Sequence, residues 1–295
     1  MTKKIKKITK YILIPIVILL GLICALYLYI DYDINQRTNI TYSFEMQNVN
    51  IDTSNHILKR GAHLLDIKGC TDCHGSDLSG KIFLDQVELG RISASNLTKG
   101  KGGLPPNYSY QDWINALRHG IGKDGKPLLF MPSHESTFLS KKDIDAIISY
   151  CQQIPSIDNC LPKNKLGPLV KVLTYFGKMP LLSVEMIDHN RPITSDVSSA
   201  VGISQGAYLS VSCAGCHRSN MQGGDPLAPG MSKVPSITNS GNLKNYSSDQ
   251  FLTALRTGLK PTGQQMKDED MPWKMTSKYT DDEIQSLYLY LKSLD

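Results

Sequence analysis

The sequence predicts a mainly helical chain in which one N-terminal transmembrane helix precedes two copies of a small helical domain. Three observations carry this prediction: an uncharged apolar run over residues 11–30, sequence blocks that recur in the second half, and helix-capping patterns within those blocks. The expected division is cytoplasmic lysines and anchor over 1–30, a stem over 31–52, domain 1 over 53–154, a linker strap over 155–201, and domain 2 over 202–295.

The N-terminus sets the expected compartment. Five lysines precede the apolar run, which is about one bilayer thickness long as a helix: Lys3, Lys4, Lys6, Lys7 and Lys10. The positive-inside rule keeps these lysines in the cytoplasm and exports everything after Asp31. A cleaved signal peptide is the alternative, but its cleavage site would need small residues. The run instead ends Leu26-Tyr27-Leu28-Tyr29-Ile30, which favours an uncleaved anchor.

The five N-terminal lysines account for the whole formal net charge of +5. Without these five, 27 of the 32 basic residues remain, which equals the 27 acidic residues. The exported part is therefore nearly neutral, and the sequence indicates membrane orientation and no nucleic-acid partner.

Four blocks recur in the same order and indicate an internal repeat. Gly61-Ala62-His63-Leu64 corresponds to Gly206-Ala207-Tyr208-Leu209, and the segment 112–120 corresponds to 250–258. Met131-Pro132 corresponds to Met271-Pro272, and 140–144 corresponds to 280–284. Each copy has roughly a hundred residues, a usual domain size.

Capping patterns place helices inside each copy. Ser109, Ser247 and Thr280 each precede a suitable N3 residue and predict capping boxes. Thr53 or Ser54 is expected to cap the helix before the first cysteine pair, and Ser204 the helix that carries Gly206. The stretches 99–107 and 223–230 are rich in glycine and proline and predict loops without strands. The strap is too apolar for a flexible tether and is expected to hold the two domains together.

Two five-residue motifs carry the chemistry: Cys70-Thr71-Asp72-Cys73-His74 and Cys213-Ala214-Gly215-Cys216-His217. C-x-x-C-H is the attachment signature of c-type haem, in which two thiols bond the vinyl groups and the histidine ligates iron. Structural zinc or a thioredoxin-like redox pair is the alternative, but zinc would need further ligands nearby in sequence. The sequence therefore predicts two covalent haems c per chain, with Cys70, Cys73, Cys213 and Cys216 as tethers and His74 and His217 as axial ligands.

The repeat also indicates the second axial ligands. Met131 and Met271 follow the two histidines at similar spacing, and each precedes a proline that restricts the backbone. His119 and His134 have no counterpart in the other copy and are weaker candidates. The alternative for both methionines is ordinary core packing.

Several residues outside the two motifs are also candidates for a role at the sites or in the packing. Arg118 and Arg256 occupy matching positions and are candidates for haem propionate contacts, with solvated helix-end arginines as the alternative. Trp113 and Phe251 are expected in the pocket or core wall. Tyr150 and Tyr290 are expected to pack on Gly61 and Gly206, respectively. Cys151 and Cys160 could pair as a disulfide or remain two thiols.

On these motifs the chain resembles bacterial membrane-anchored dihaem cytochromes c with two class I cytochrome c domains. Ser95-Asn96-Leu97-Thr98 and two short sequence segments of the linker, 155–159 and 185–189, also resemble that family. The chain is also similar to cytochrome subunits of membrane-bound alcohol and gluconate dehydrogenases, which carry three haems. The resemblance implies a proline carbonyl that orients the haem histidine. Pro226 and Pro229 are its candidates in domain 2, and domain 1 lacks such a segment.

Together these interpretations predict an electron carrier rather than an enzyme. It would sit on the periplasmic face of the inner membrane, held by one span, and would take electrons from one redox protein and pass them to another. A dehydrogenase, a quinol-oxidising complex or a terminal oxidase would suit as partner. The alternatives are a dihaem peroxidase in which one iron loses its distal ligand, a dedicated subunit of a dehydrogenase or oxidase complex, and a redox or gas sensor.

Overall fold

Helices dominate the fold, as predicted. The computed structural model describes residues 2–46, 51–227 and 231–295, with side chains described from Tyr11 onwards. The α-helices are α1 (Thr2–Arg37), α2 (Asn55–Ile67), α3 (Cys70–His74), α4 (Tyr110–Ile114), α5 (Ser133–Ser136), α6 (Lys141–Gln153), α7 (Pro168–Tyr175), α8 (Ile203–His217), α9 (Ser248–Thr257), α10 (Trp273–Thr276) and α11 (Asp281–Lys292). A π-helical segment over Asn115–His119 follows α4 directly, and short 3₁₀ helices cover Ser183–Met186 and Asn242–Asn245.

Helix α1 is longer than the predicted anchor. Within the described residues, one helical stretch, Tyr11–Arg37, is long and apolar enough to cross a membrane. The predicted stem therefore begins as helix, and Ile30 and Ile34 are buried against the rest of the protein. The rest of the stem that the structure describes, 38–46 and 51–52, has no regular secondary structure beyond a turn at 38–39, and residues 47–50 lie outside the described part.

The first segment (53–154) and the second segment (202–295) are each built on a crossed helix pair. Helix α2 packs on α6, and α8 packs on α11. A Cβ at Gly61 would lie 2.2 Å from the Ala146 carbonyl oxygen and 2.7 Å from the Cβ of Tyr150. A Cβ at Gly206 would meet Ser286 and Tyr290 in the same way. The predicted packing of both tyrosines on glycine is confirmed, since only a missing side chain permits this approach.

The helix termini agree with most of the capping predictions. Ser109, Ser247 and Thr280 each form a complete capping box with the residue three positions later. Ser54 stands at the N-cap of α2, although its side chain makes no capping hydrogen bond. The prediction for Ser204 was wrong, because α8 begins one residue earlier, at Ile203, with Gly202 at the N-cap.

A small antiparallel sheet was not predicted. Strands β1 (Lys81–Gln86) and β2 (Gly90–Ala94) form a hairpin, and the two-residue strand β3 (Lys165–Leu166) adds to its edge through β2. The register shifts between Ile82 and Leu84. The hairpin escapes a period-two search because β1 is exposed along almost its whole length.

The strap (155–201) is packed, as its composition predicted, but mainly on the first segment and on α1. Val170, Leu181, Leu182 and Val184 form a second apolar cluster with Ile121 of the first segment. The contact between the two segments is made directly by their own helices.

Charged and polar pairs join the two segments in a reciprocal arrangement. His63 of α2 lies 2.8 Å from the Glu283 carboxylate of α11, and the Tyr208 hydroxyl of α8 donates to Asp143 of α6 at 2.7 Å. Arg60 reaches both carboxylates, at 2.9 Å from Asp143 and 3.4 Å from Glu283. These contacts join α2 and α8, the helices that lead into or carry the two C-x-x-C-H motifs, to the closing helix of the opposite segment.

Candidate functional site

Each C-x-x-C-H motif forms the last helical turn before a loop. In the second segment α8 runs without a break through Cys213 to His217. In the first segment α2 ends at Ile67, and Gly69 in the left-handed region starts the separate turn α3. In both, the cysteines lie one turn apart, which is the spacing that thioether attachment to a flat ring requires.

Main-chain carbonyl groups fix the orientation of both histidines. The Nδ1 of His74 lies 2.7 Å from the Ser95 carbonyl oxygen, and the Nδ1 of His217 lies 2.9 Å from that of Pro235. Because a carbonyl can only accept, Nδ1 carries the proton and Nε2 keeps its lone pair for a metal. Burial lowers the pKa of both imidazoles, which favours the neutral form that ligates iron.

The carbonyl that holds His217 belongs to neither of the predicted prolines. Pro226 is not its partner, and Pro229 lies outside the described residues. The first segment has no proline-bearing segment at this place, and it makes the contact with the carbonyl of Ser95. Any residue can supply a main-chain carbonyl, so the side chain at this position gave no reliable signal.

The loops that follow the two histidines share their hydrogen bonds. The amides of Gly80 and Gly223 donate to the carbonyl oxygens of His74 and His217 at 2.7 and 2.9 Å. Later in each loop, the amide of Leu97 donates to the carbonyl oxygen of Leu78 and the amide of Ile237 donates to that of Met221, both at 2.9 Å. Leu78 and Met221 both have positive φ, 57° and 59°. Such strained positions are uncommon for these residue types, so their recurrence marks the same loop design at both motifs.

A cavity of about 330 Å³ opens at the first motif. Cys70, Cys73, His74 and Met131 all line it, and Trp113 forms part of its wall, as predicted. Most of the wall is apolar: Leu65, Phe83, Ile92, Leu117, Leu129 and Leu139. A flat apolar macrocycle tethered by the two thiols fits this donor set and this wall.

The two Met-Pro pairs have the same local geometry. Pro132 and Pro272 have φ and ψ of −79° and 53°, and of −73° and 66°. The amide two residues after each methionine donates to the methionine carbonyl, at 2.8 Å for Met131 and 2.7 Å for Met271. Both methionines are partly buried against the main apolar core.

The two weaker histidine candidates have other partners. His119 stacks on Phe44 with ring centroids 4.1 Å apart, and its Nδ1 lies 3.0 Å from that of His189. His134 Nδ1 lies 2.9 Å from the Ser183 hydroxyl of the strap. Neither histidine lines the cavity. Within the described residues no group of three or more His, Cys, Asp or Glu side chains converges on a metal site, which gives no support to the zinc alternative.

Residues 203–295 match the family model for cytochrome c. This part of the chain is a cytochrome c domain. The match begins at the first residue of α8, so the second C-x-x-C-H motif and Met271 both lie inside it.

The relatives of the chain confirm the resemblance to dehydrogenase cytochrome subunits. The chain is 24% identical over 220 residues to the fructose dehydrogenase cytochrome subunit of Gluconobacter japonicus, covering 68% of this chain and 45% of the relative. It is 24% identical over 269 residues to the cytochrome c subunit of a quinone alcohol dehydrogenase from Gluconobacter oxydans (strain 621H), with coverages of 82% and 56%. Over 99 residues it is 31% identical to the gluconate 2-dehydrogenase cytochrome c subunit of Pantoea cypripedii, covering 32% and 22%. The chain spans about half the length of the first two relatives.

The cytochrome c domain closes one side of the first cavity. Tyr208, Val211 and Ser212 of α8 belong to the cavity wall, and Ser212 immediately precedes Cys213. The Lys68 ammonium donates to the Ser212 hydroxyl at 3.1 Å. The second motif therefore begins at the wall of the first cavity.

Each segment also contacts the motif region of the other segment through the loop that follows its Met-Pro pair. The Glu135 carboxylate, just after Met131-Pro132, lies 2.5 Å from where a Cβ of Gly215 would stand. The sulfur of Met275, just after Met271-Pro272, lies 3.2 Å from where a Cβ of Gly69 would stand. Burial raises the pKa of Glu135 to about 7 and lowers that of Lys68. Each methionine loop thus packs on the C-x-x-C-H turn of the other segment.

The two arginines and the cysteine pair also have defined places. Arg118 is buried, and its Nη2 donates to the Arg191 carbonyl of the strap at 2.7 Å. Arg256 forms an ion pair with Asp281 at 2.5 Å. The propionate role of both arginines stays a prediction. Cys151 is buried at the cavity wall and Cys160 is exposed, and both are free thiols.

Sequence reasoning missed Ser95, Pro235, Lys68 and Glu135. For the first two, the matching blocks Ser95-Asn96-Leu97-Thr98 and Pro235-Ser236-Ile237-Thr238 mark the position within the repeat, but the side chains of Ser95 and Pro235 do not mark a carbonyl that holds histidine. For Lys68 and Glu135 no signal existed, since their positions matter only through packing of one segment on the other.

Proposed function

We propose that the chain is a dihaem c-type cytochrome that carries electrons on the periplasmic side of the inner membrane, as the electron-transfer subunit of a membrane dehydrogenase. The observation that carries the proposal is the pair of C-x-x-C-H histidines, each held by a main-chain carbonyl with Nε2 left for iron. The relatives named as dehydrogenase cytochrome subunits support the choice of partner. The apolar α1 supports anchoring by one span.

The residues divide the work at each site. Cys70 and Cys73, and in the second segment Cys213 and Cys216, would hold a haem covalently. His74 and His217 would ligate iron through Nε2, and Met131 and Met271 through their sulfur atoms. When bound, each haem would supply a one-electron Fe(III)/Fe(II) couple.

The residues around each site would hold the ligands of a bound haem in nearly the same arrangement in both redox states. The carbonyl hydrogen bonds stop ring rotation of the histidines, and the Met-Pro conformation restricts the methionine backbone. With a haem bound, the mostly apolar wall of the first cavity would exclude water and so lower the reorganisation that electron transfer requires. No substrate bond is made or broken on the chain.

The junction between the segments supports electron transfer within one chain. Ser212, next to Cys213, lies at the wall of the first cavity, and each methionine loop contacts the opposite motif. A donor that reduces one haem would therefore need no second docking event to deliver the electron to the other.

Spectroscopy of the full chain tests the proposal. The haem-loaded protein in detergent is titrated redox-potentiometrically and then exposed to carbon monoxide and to peroxide. We expect two low-spin haems, the methionine-to-iron charge-transfer band in the ferric state, and no reaction with either reagent. Met131→Ala and Met271→Ala should each remove about half of the band and create one carbon monoxide site, whereas the exposed control Met186→Ala should change neither. Peroxide consumption by the unmodified protein would instead identify a peroxidase.

A further inference from the structure

The end of the apolar helix coincides with the start of its contact with the folded part. From Lys10, the last lysine of the N-terminal cluster, to Tyr29 the helix rises about 28 Å, which is close to the hydrocarbon thickness of roughly 30 Å. Tyr29 is 57% exposed, and the next residue, Ile30, is 2% exposed. The deeply buried part of α1 therefore begins close to the level where the helix would leave the bilayer.

Helix α7 of the strap is fixed at this level by two contacts. The Lys171 ammonium pairs with the Asp31 carboxylate, and the Tyr175 ring stands edge-on to Tyr29 with centroids 6.0 Å apart. Lys171 meets α1 at residue 31 and Tyr175 meets it at residue 29, so α7 descends towards the membrane along its length. The turn Tyr175–Lys178 therefore lies on the membrane side of Lys171.

This turn exposes more than half of an aromatic side chain to solvent. Phe176 is 56% exposed, and its ring contacts that of Tyr175 at 5.3 Å between centroids. Gly177, with φ of 65°, ends the helix, and Lys178 follows with its side chain exposed. An exposed aromatic group beside a lysine, level with the end of a transmembrane helix, is the arrangement found at membrane interfaces.

We infer that the turn Tyr175–Lys178 is a second membrane contact, with the Phe176 ring lying in the headgroup layer of the phospholipid bilayer beside α1. The inference rests on the proposed anchoring by α1. Two contacts at different points fix the tilt of the folded part, which one helix alone would leave free. The strap also carries Ser183, whose hydroxyl donates to the Met131 carbonyl, so the strap links the membrane contact to the first site.

Photo-crosslinking of the full chain tests the inference. p-Benzoylphenylalanine replaces, one at a time, Phe176, Leu20 inside the apolar run, and Ile203 at the start of α8. Ile203 is 53% exposed and matches Phe176 in exposure. Each purified variant is reconstituted into vesicles of phosphatidylethanolamine and phosphatidylglycerol, irradiated, and analysed by mass spectrometry for a lipid adduct.

The three positions separate the inference from the anchoring on which it rests. We expect lipid adducts at Leu20 and Phe176 and none at Ile203. An adduct at Leu20 without one at Phe176 would overturn the inference and leave the anchor intact, and would favour a protein partner as the cover of Phe176. A yield at Ile203 equal to that at Phe176 would also overturn it, because the contact would not be specific. No adduct at Leu20 would contradict the anchoring itself.

Discussion

Replacing Gly61 by alanine perturbs the helix crossing on which the first site is built. In an open helix, Gly→Ala stabilises by roughly 1 kcal/mol. At Gly61 the new Cβ would stand 2.2 Å from the Ala146 carbonyl oxygen, where real Cβ contacts stay beyond 3.0 Å. Relief requires α2 and α6 to move apart by nearly 1 Å, because the obstacle is backbone and cannot rotate away. Overpacking of this kind costs about 1–3 kcal/mol, so we expect a net loss in the free energy of unfolding of that order.

Guanidinium chloride titration of the haem-loaded full chain in detergent measures this loss. The methionine-to-iron band reports each site, so Gly61→Ala should lower the midpoint of the first site more than that of the second. Gly206→Ala, whose Cβ would lie 2.0 Å from the Ser286 carbonyl oxygen, should do the reverse. Gly21→Ala is the matched control, since nothing lies within 4 Å of its Cβ. A Gly61→Ala midpoint at or above that of the unmodified protein would refute the reasoning.

Three further changes test the site and the junction between the segments. Ser95→Pro should leave the absorption spectrum and the redox potential of the first site unchanged, because the carbonyl that holds His74 remains; a high-spin spectrum would contradict this. Glu283→Gln should cost about 2 kcal/mol at pH 7, because it removes a buried charged partner of His63. Burial opposes ionisation of Glu283, but its hydrogen bonds with His63 and with the main chain lower its pKa overall, so this stability is present above about pH 4.3 and lost as the pH falls further. Denaturation of the variant at pH 7 and pH 3.5 checks that the difference from the unmodified protein shrinks in acid. Burial raises the pKa of Glu135 to about 7, so its ionisation in the fold costs stability as the pH rises from about 4.3 to 7. Glu135→Gln should therefore be more stable than the unmodified protein at pH 8, by about 1–3 kcal/mol, and no more stable at pH 4, as thermal denaturation would show.

Much of the helical framework was predictable because local patterns determine it. The capping boxes at Ser109, Ser247 and Thr280 mark helix starts through contacts only three residues apart. The close packing at Gly61 and Gly206 was also predictable, since the repeat places an unusual residue opposite a tyrosine twice. In the site, the cysteine and histidine positions follow from the motif spacing alone.

The remaining features depend on contacts that sequence reasoning does not reach. The hairpin β1–β2 is exposed on one strand and carries no alternation, so its pairing was not visible. The carbonyls of Ser95 and Pro235 act through main-chain atoms that every residue has. Helix α1 continues past the predicted boundary, where Ile30 and Ile34 are buried and α1 contacts α7 of the strap, a contact between distant parts of the chain.

The number of haems bound to one chain tests the central claim most directly. The full chain is matured with haem, unfolded to remove any group that is not covalently attached, and weighed by intact mass spectrometry. The account predicts the polypeptide mass plus two haems, and plus one haem when Cys70 and Cys73 are both replaced by alanine. A mass with one haem in the unmodified chain would contradict the claim that both C-x-x-C-H motifs serve electron transfer.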